Sequence, residues 1–529
     1  MLIRRRFAIA PPAPDAGRLA RRGRIPAIDD EPRIPGGGIA IAAAVLISVA
    51  IGAAAAVSPV GAVAVAAALG GLALLTLGER MVPIFQVALV AILAGYAFLG
   101  RGVAHLGAPP VYLGEAVLSI GLIAIVVSLG RARWRPAHIA ILAFVAWGVI
   151  RTVPYIGTYG LDAFRDAVTW GYAVFAIAVS LTVRPQHFEV IVRLYRRLIP
   201  IFVFWVPVAA VVSVVFAGIL PRAPGSEVPI VVFKGGDMGV HLAGVGAFMI
   251  LGLGGSSIVG LREVVIWAGW LLAVVTAGAV NRGGLLAASM VATTVLFIRA
   301  TSRWLMVVVV GLVLIAIVGL ADPEVDLGFD RRISLDQIVA NVTSIFDSHA
   351  DEGLEGTKTW RLRWWNTIIG YTFDGPHFWD GKGYGINLAD DDGFQLLADH
   401  SLRAPHNGHI EILARSGVLG LALWILLQVV FGLTLLRAAA RARAADLQRW
   451  VAIVGWIFAY WLAALVNASF DVYLQGPQGG IWFWSVMGLG IAAATAIDTM
   501  TKAPSRPDVA PRSAPAPGPG SQAESLPVR

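Results

Sequence analysis

The sequence predicts an all-α polytopic membrane protein. Three observations point to this class: 57% of the 529 residues are hydrophobic, only 14% are charged, and apolar stretches near the length of a membrane span recur along the chain. An average soluble domain has about 25% charged residues, and the mean hydropathy here is +0.75. The chain has no cysteine, which excludes disulfides and cysteine-based zinc sites.

The two ends of the chain are polar and of low complexity. Residues 1–38 are rich in Arg, Pro and Gly and predict a disordered cytoplasmic arm. They do not fit a cleaved signal, because the first apolar run begins only near Ile39. Residues 498–529 are rich in Pro, Ser and Ala and predict a second disordered cytoplasmic tail.

Between these ends the apolar pattern predicts about 12–14 transmembrane helices, with an N-terminal group over 39–320 and a C-terminal group over 416–497. Two of the predicted spans, 241–258 and 284–299, are short and Gly-rich and fit half-spans as well. The candidate spans are 39–57, 61–77, 83–100, 111–130, 137–153, 164–183, 199–220, 241–258, 262–280, 284–299, 304–320, 416–436, 449–467 and 479–497.

The charges of the connections predict the sidedness. Arginine-rich connections at 131–135, 184–197, 299–303 and 437–449 fall on one side, which the positive-inside rule makes cytoplasmic. The segment 321–415 falls on the other side and holds sixteen Asp and Glu against eight Lys and Arg. The net charge of +8 is therefore a topology signal rather than a sign of nucleic-acid binding.

The large extracytoplasmic loop, 321–415, is far longer than a connection needs, which indicates function. Apolar residues at helical spacing in 335–346 and in the Trp-rich stretch 359–373 predict amphipathic helices against the membrane face. The "GKGYG" stretch at 381–385 ends the second helix, and "PHN" at 405–407 predicts the start of another that runs to Arg415.

Three cationic or titratable residues stand out, although each alone has an ordinary explanation. Arg282 lies on a tight turn before two glycines and fits a solvated turn arginine. Arg361 lies on the Trp-rich helix and fits an interfacial residue whose head reaches water. His406 stands directly before an apolar run and fits a polar residue at a helix start, but a histidine there can also act as a base near neutral pH.

Together these motifs resemble the superfamily of O-antigen ligases and Wzy-type O-antigen polymerases. The order of an Arg in a short turn, a large external loop with "R-x-x-x-W" and "G-x-G", and "HNGHIEILARSGVLG" entering a span carries the resemblance over roughly 265–430. Family members are usually drawn with about twelve spans. The matching residues are Arg282, Arg361, Trp365, Gly383, Gly385, His406, Asn407, Ile410, Leu413, Gly417 and Gly420.

The resemblance implies a GT-C-like, metal-independent, inverting glycosyltransferase. It would transfer a glycan from a polyprenyl (undecaprenyl) diphosphate carrier to an acceptor hydroxyl on a glycan, lipid or protein, at the outer face of the cytoplasmic membrane. His406 would be the general base, and Arg282 and Arg361 would bind the diphosphate. No cofactor or metal is implied, and membrane lipid is the other expected partner.

Further residues receive substrate-binding roles from the same resemblance. Asn407 would orient the histidine or a sugar hydroxyl, and Trp365, Gly383 and Gly385 match the family's loop motif. Asp471, just outside the thirteenth predicted span, lies beyond the matched motifs; it fits either an orienting carboxylate or a solvated loop acid.

Several alternatives stay open from the sequence. A Wzy-type polysaccharide polymerase shares all of these motifs with a ligase. A polytopic transporter fits the number of spans but would place its site near the bilayer midplane, and an envelope scaffold leaves the Arg and His residues unexplained. The triplet Asp390, Asp391 and Asp392 fits an acidic turn better than a divalent-cation site.

Overall fold

The computed structural model of the chain describes residues 65, 78–108, 111–255, 260–297, 325–326, 332–333 and 352–502. Helices dominate this part of the chain. In chain order they are α1 (Met81–Leu99), α2 (Arg101–Ala104), α3 (Leu113–Ser128), α4 (Pro136–Tyr159), α5 (Leu161–Gly171), α6 (Ala173–Thr182), α7 (Pro185–Val215), α8 (Gly235–Ile250), α9 (Leu261–Val280), α10 (Arg282–Ser289), α11 (Glu352–Phe373), α12 (Leu388–Asp391), α13 (Gly408–Ala444), α14 (Gln448–Ala468) and α15 (Pro477–Lys502).

Short elements complete the described residues. Two antiparallel ladders pair β1 (Gly107–Ala108) with β2 (Val111–Tyr112) and β3 (Val325–Asp326) with β4 (Arg332–Ile333). Segments of 3₁₀ helix occur at Gly78–Arg80, Leu129–Arg131, Met290–Leu296 and Tyr473–Gln475.

Within the described ranges, eight helices are long and apolar enough to cross a membrane, or nine if α5 and α6, bent by 44° at their junction, form one span. This confirms the predicted all-α polytopic class. Two of the predicted spans, 241–258 and 284–299, correspond to the shorter helices α8, with 16 residues, and α10, with 8. Their lengths fit the half-span alternative. The predicted spans 39–57 and 304–320 and nearly all of 61–77 lie outside the described residues, as does the predicted helix at 335–346.

Local sequence explains where several helices begin. Pro136 and Pro185 occupy the first turns of α4 and α7, where proline's fixed φ suits a helix and its missing N–H is not needed. Asn281 caps α10, because its side chain accepts a hydrogen bond from the backbone N–H of Gly284. Asn407 caps α13 in the same way, which confirms the predicted helix start.

The short helix α8 forms the centre of the bundle. Nearly all of its side chains are buried, and it packs against α10 and α14. Glycines permit this close approach: a Cβ on Gly239 would lie 2.2 Å from the carbonyl oxygen of Gly284, and one on Gly244 would lie 2.0 Å from the Tyr460 ring. Small residues at helix contacts are typical of membrane bundles, where close packing replaces the hydrophobic drive for association.

Helix α13 is broken at Gly417, whose φ of 66° and ψ of −169° lie outside the helical range. The break leaves carbonyls of the preceding turn without helical partners. The "GKGYG" loop supplies them: the N–H of Lys382 donates to the carbonyl oxygen of Ala414 (2.7 Å), and the N–H of Gly383 donates to that of Arg415 (3.0 Å). The predicted boundary between loop and span at 415 therefore coincides with a real interruption inside one long helix.

The helices alternate in direction, so their connections gather at two ends of the bundle. At the end that we call the basic end, Asp498 contacts both Arg135 and Arg441, and Arg449 lies 2.6 Å from Glu189. Three of the predicted basic segments thus lie together. Two of them are not the connections that were predicted, because 185–197 forms the first turns of α7 and 437–444 forms the last turns of α13. The contacts of Asp498 also explain why α15 continues to Lys502, which corrects the predicted tail boundary at 498.

Candidate active site

His406 lies at the opposite end, the site end, in the residue before the cap of α13. Its φ of 54° is left-handed, which is uncommon for a residue with a side chain. Asn407 accepts hydrogen bonds from the N–H groups of His409 (3.0 Å) and Ile410 (3.1 Å) through its side-chain oxygen. This oxygen is occupied by the cap, so the amide nitrogen is the part of Asn407 that remains for a ligand.

Helix α11 holds the His406 segment in place. The Trp365 indole N–H donates to the carbonyl oxygen of Pro405 at 2.7 Å. One helical turn earlier, Arg361 donates through Nη1 to the carbonyl oxygen of Phe470 at 3.2 Å. Residues four apart share a helix face, so α11 places its arginine beside the turn after α14 while its tryptophan fixes the approach to His406.

The turn after α14 carries Asp471, which is buried rather than solvated. Its carboxylate lies 2.9 Å from the ammonium of Lys234 and accepts the backbone N–H of Val472 at 2.7 Å. Lys234 also lies 3.6 Å from Asp237, one turn into α8. Neither Lys234 nor Asp237 was among the predicted site residues; their signal was a Lys and an Asp three residues apart at the start of a Gly-rich apolar run.

Arg282 lies close to the same turn. It begins α10, and the two glycines after it make close contacts. A Cβ on Gly283 would lie 3.1 Å from Cβ of Phe470, and one on Gly284 would lie 2.3 Å from the carbonyl oxygen of Gly235. The start of α10 therefore packs against the start of α8 and against the residue whose carbonyl accepts from Arg361.

The charges at the site end act on His406. Burial lowers its pKa to about 4, Arg361 and Lys234 lower it as well, and Asp471 acts in the opposite direction. Burial also disfavours the charges of Lys234 and Asp471. The carboxylates of Asp237 and Asp471 outweigh it for Lys234, whose pKa is raised, and the ammonium of Lys234 outweighs it for Asp471, whose pKa is lowered. At neutral pH the histidine is therefore neutral and able to accept a proton.

Gly383 and Gly385 pack against α4 rather than presenting a side-chain-free surface to solvent. Both have positive φ, 85° and 110°. A Cβ on Gly383 would lie 2.1 Å from the Tyr155 ring, and one on Gly385 would lie 2.6 Å from Cβ of Tyr159. Glycine is therefore required here by backbone conformation and by packing, and a substrate-binding role for these two residues stays a prediction.

A buried ionic cluster anchors the loop that leads to His406. Asp166 on α5 lies 3.0 Å from Arg403 and 2.9 Å from Arg415, and it accepts the N–H of Gly385 at 3.0 Å. Arg415 is also paired with Glu411 at 2.7 Å, and its side chain is 1% exposed. This cluster was not predicted; its local signal was the i, i+4 spacing of Glu411 and Arg415.

The neighbouring histidines have other partners. His409 accepts from the Trp424 indole at 3.0 Å through Nδ1, and its Nε2 lies 3.3 Å from the carbonyl oxygen of Leu465. His400 is exposed and pairs with Asp390 at 2.8 Å. His409 therefore uses both ring nitrogens in packing the helices.

The acidic triplet also has partners. Lys382 contacts both Asp391 and Asp392. The Trp364 indole donates to Asp392 at 2.7 Å. The triplet thus stabilises the loop around α12.

One family model matches part of the chain. Residues 267–425 match the family model described as O-antigen ligase, a range that includes Arg282, Arg361 and His406 and excludes Lys234 and Asp471. No curated protein matches the chain in sequence. Over residues 267–425 the chain is therefore similar to the O-antigen ligase family, which supports the resemblance to the superfamily of O-antigen ligases and Wzy-type polymerases.

Proposed function

We propose that this protein is a glycosyltransferase that moves a glycan from a polyprenyl diphosphate to an acceptor hydroxyl, with His406 as general base. The observation that supports this most directly is the meeting, around the turn at Phe470 and Asp471, of a neutral histidine with cationic side chains. A transporter would place its polar groups near the middle of the membrane, whereas these groups lie at one end of the bundle.

The proposed step is a single displacement. The acceptor hydroxyl oxygen forms a bond to the anomeric carbon, and a ring nitrogen of His406 takes its proton. The bond between the anomeric carbon and the diphosphate oxygen breaks, and the diphosphate leaves with the electron pair. Attack opposite the leaving group inverts the anomeric configuration.

Cations would stabilise the departing diphosphate. Arg361 and Arg282 offer the planar, bidentate fork that suits phosphate oxygens. Lys234 adds a third positive charge, although it is shared with Asp471 at 2.9 Å. In this proposal no metal is required, because arginines stand where a metal-dependent enzyme would use an ion to neutralise the leaving group.

Donor binding would also strengthen the base. In the free protein, burial and the charges of Arg361 and Lys234 hold the pKa of His406 near 4. A diphosphate bound to these cations brings negative charge close to the histidine, and a nearby anion favours the imidazolium and raises its pKa. The histidine would thus be neutral before the donor arrives and a stronger proton acceptor once it is bound.

The acceptor distinguishes the two enzymatic alternatives. A ligase transfers the finished glycan to a lipid or protein acceptor, and a polymerase transfers it to another polyprenyl-linked repeat unit; the donor chemistry is the same. We propose the ligase reaction, at the outer face of the cytoplasmic membrane with both termini cytoplasmic. The grouping of arginines at the basic end supports this orientation through the positive-inside rule.

The test is an in vitro transfer assay with the purified protein and a glycan on polyprenyl diphosphate, offered either a lipid acceptor or a second polyprenyl-linked glycan. His406→Ala should lower turnover by about 10²–10⁴-fold, the usual contribution of a positioned base, with donor binding retained. The matched control is His400→Ala, because His400 is exposed in the same loop. Wild-type turnover by a folded His406→Ala variant would disprove the proposed role of the base, and loss of activity with EDTA that magnesium restores would disprove metal independence.

A further inference from the structure

A cavity of about 400 Å³ opens at the basic end, far from the candidate active site. It lies where the beginnings of α1 and α7 meet the ends of α3, α6 and α15. Three arginines line it, Arg131, Arg133 and Arg184, together with the imidazole of His187. Among the described residues that line it there is no Asp or Glu.

Polar groups around this cavity are held as donors. Arg133 donates through Nη1 to the hydroxyl of Thr499 at 2.7 Å, which holds the guanidinium at the cavity wall. His187 Nδ1 lies 3.3 Å from the backbone N–H of Arg184 and 3.3 Å from the amide nitrogen of Gln86. Since Nδ1 faces these nitrogens as an acceptor, Nε2 carries the ring hydrogen and remains a donor.

Two described carboxylates of the basic end, Asp498 and Glu189, pair with arginines outside the cavity lining. Asp498 contacts Arg135 and Arg441, and Glu189 pairs with Arg449 at 2.6 Å. None of these arginines lines the cavity. The described lining therefore has an excess of positive charge, which a low-dielectric wall strengthens.

The rest of the lining combines apolar side chains with hydroxyl and amide groups. Side chains such as Val82, Val127, Leu181 and Ala492 form walls beside the basic groups. A lining that includes both cationic and apolar side chains suits a ligand that joins a phosphate to a hydrocarbon chain. Basic pockets between transmembrane helices at this depth are the typical sites for acidic headgroups.

We propose that this cavity binds a phosphate monoester or diester anion, as presented by the headgroup of an acidic phospholipid in the leaflet at the basic end. Arg133 and Arg184 bind the phosphate oxygens, the Thr499 hydroxyl positions the guanidinium of Arg133, and the apolar wall covers the first carbons of the lipid. This site is independent of the proposed glycan transfer, because it lies at the opposite end of the bundle.

The test uses the purified, delipidated full-length protein and native mass spectrometry with added phosphatidylglycerol, and with phosphatidylcholine as a zwitterionic comparison. Each basic residue near an anionic headgroup contributes about fivefold in affinity, so Arg133→Ala with Arg184→Ala should weaken phosphatidylglycerol binding by about 30-fold. Arg193→Ala with Arg437→Ala is the matched control. Both are exposed arginines near the basic end that do not line the cavity.

Competition with inorganic phosphate separates the two sources of the anion. If phosphate does not displace phosphatidylglycerol, the occupant is a lipid headgroup; if it displaces the lipid at similar concentrations, the cavity is an anion site for a soluble phosphate compound. Replacement by lysine at Arg133 and Arg184 should retain most of the binding, and each single alanine variant should lose about fivefold, which keeps the test usable if the double variant misfolds. Equal losses in the cavity and control pairs, or no loss in either, would overturn the proposal.

Discussion

Replacing Asp166 by asparagine should loosen the loop that leads to His406. The carboxylate of Asp166 lies 3.0 Å from Arg403 and 2.9 Å from Arg415, and it accepts the N–H of Gly385. Asparagine has nearly the same shape and keeps one acceptor oxygen. The substitution therefore removes the negative charge that faces two arginines while it leaves the packing almost unchanged.

The expected cost follows from burial. Breaking a buried ion pair by removing one partner costs about 3–5 kcal/mol. Arg415 keeps Glu411 as a counter-charge at 2.7 Å, so the lower value, about 3 kcal/mol, applies. Since each 1.4 kcal/mol is a factor of ten, the open state of the loop should become about 10²-fold more populated.

Hydrogen exchange measures this opening, because the backbone N–H groups of Lys382, Gly383 and Gly385 all have partners that the opening would remove. Exchange in the peptide that spans them should accelerate about 10²-fold in Asp166→Asn. The matched control is Asp162→Asn, because the Asp162 side chain is 48% exposed and lies 3.4 Å from Arg403; exposed pairs contribute at most about 1 kcal/mol. Equal acceleration in the two variants would refute the anchoring role of the buried cluster.

Three further predictions concern the candidate active site. Activity requires neutral His406, so kcat/KM should fall on the acid side near pH 4, the pKa of this histidine in the free protein. The profile of kcat should fall at a higher pH, because bound diphosphate raises the pKa of His406. Acid limbs at the same pH in both profiles would argue against this coupling. Arg361→Lys should lower turnover because it loses the bidentate fork, whereas the exposed Arg363 should tolerate the same change, as steady-state rates with both variants would reveal. A cysteine introduced at exposed Asp399 should react with an impermeant maleimide in intact spheroplasts, and protection there would reverse the proposed orientation.

Local sequence was sufficient to locate most of the described helices and the start of α13, although it placed 184–197 in a connection rather than in α7. Asn407 follows a proline and precedes an apolar run, so its capping role depends on neighbours within three residues. The candidate residues Arg282, Arg361 and His406 were identified through short motifs that the matched domain includes. Such features depend on residues that are close in sequence, so the sequence pattern predicts them.

Pairings between distant residues were not predictable in this way. Arg403 and Asp166 are 237 residues apart, and nothing near either residue identifies the other. Lys234 was missed for the same reason, because its partner Asp471 comes from a turn between two later helices. The end of the polar motif predicted a boundary at 415, close to the break at Gly417. The N–H groups that donate to the carbonyls before this break come from another loop.

The sequence by itself determined that this is a helical membrane protein, which connections carry the positive charge, and where most described helices lie, because a bilayer requires apolar stretches of a set length with internally satisfied backbones. Only the tertiary structure decided which polar groups share a site. Membrane helices associate by close packing of small residues and by buried polar contacts. Here the glycines at the starts of α8 and α10 and the Asp166 cluster bring His406, Arg361, Asp471 and Lys234 to one end of the bundle, and no linear pattern encodes that contact.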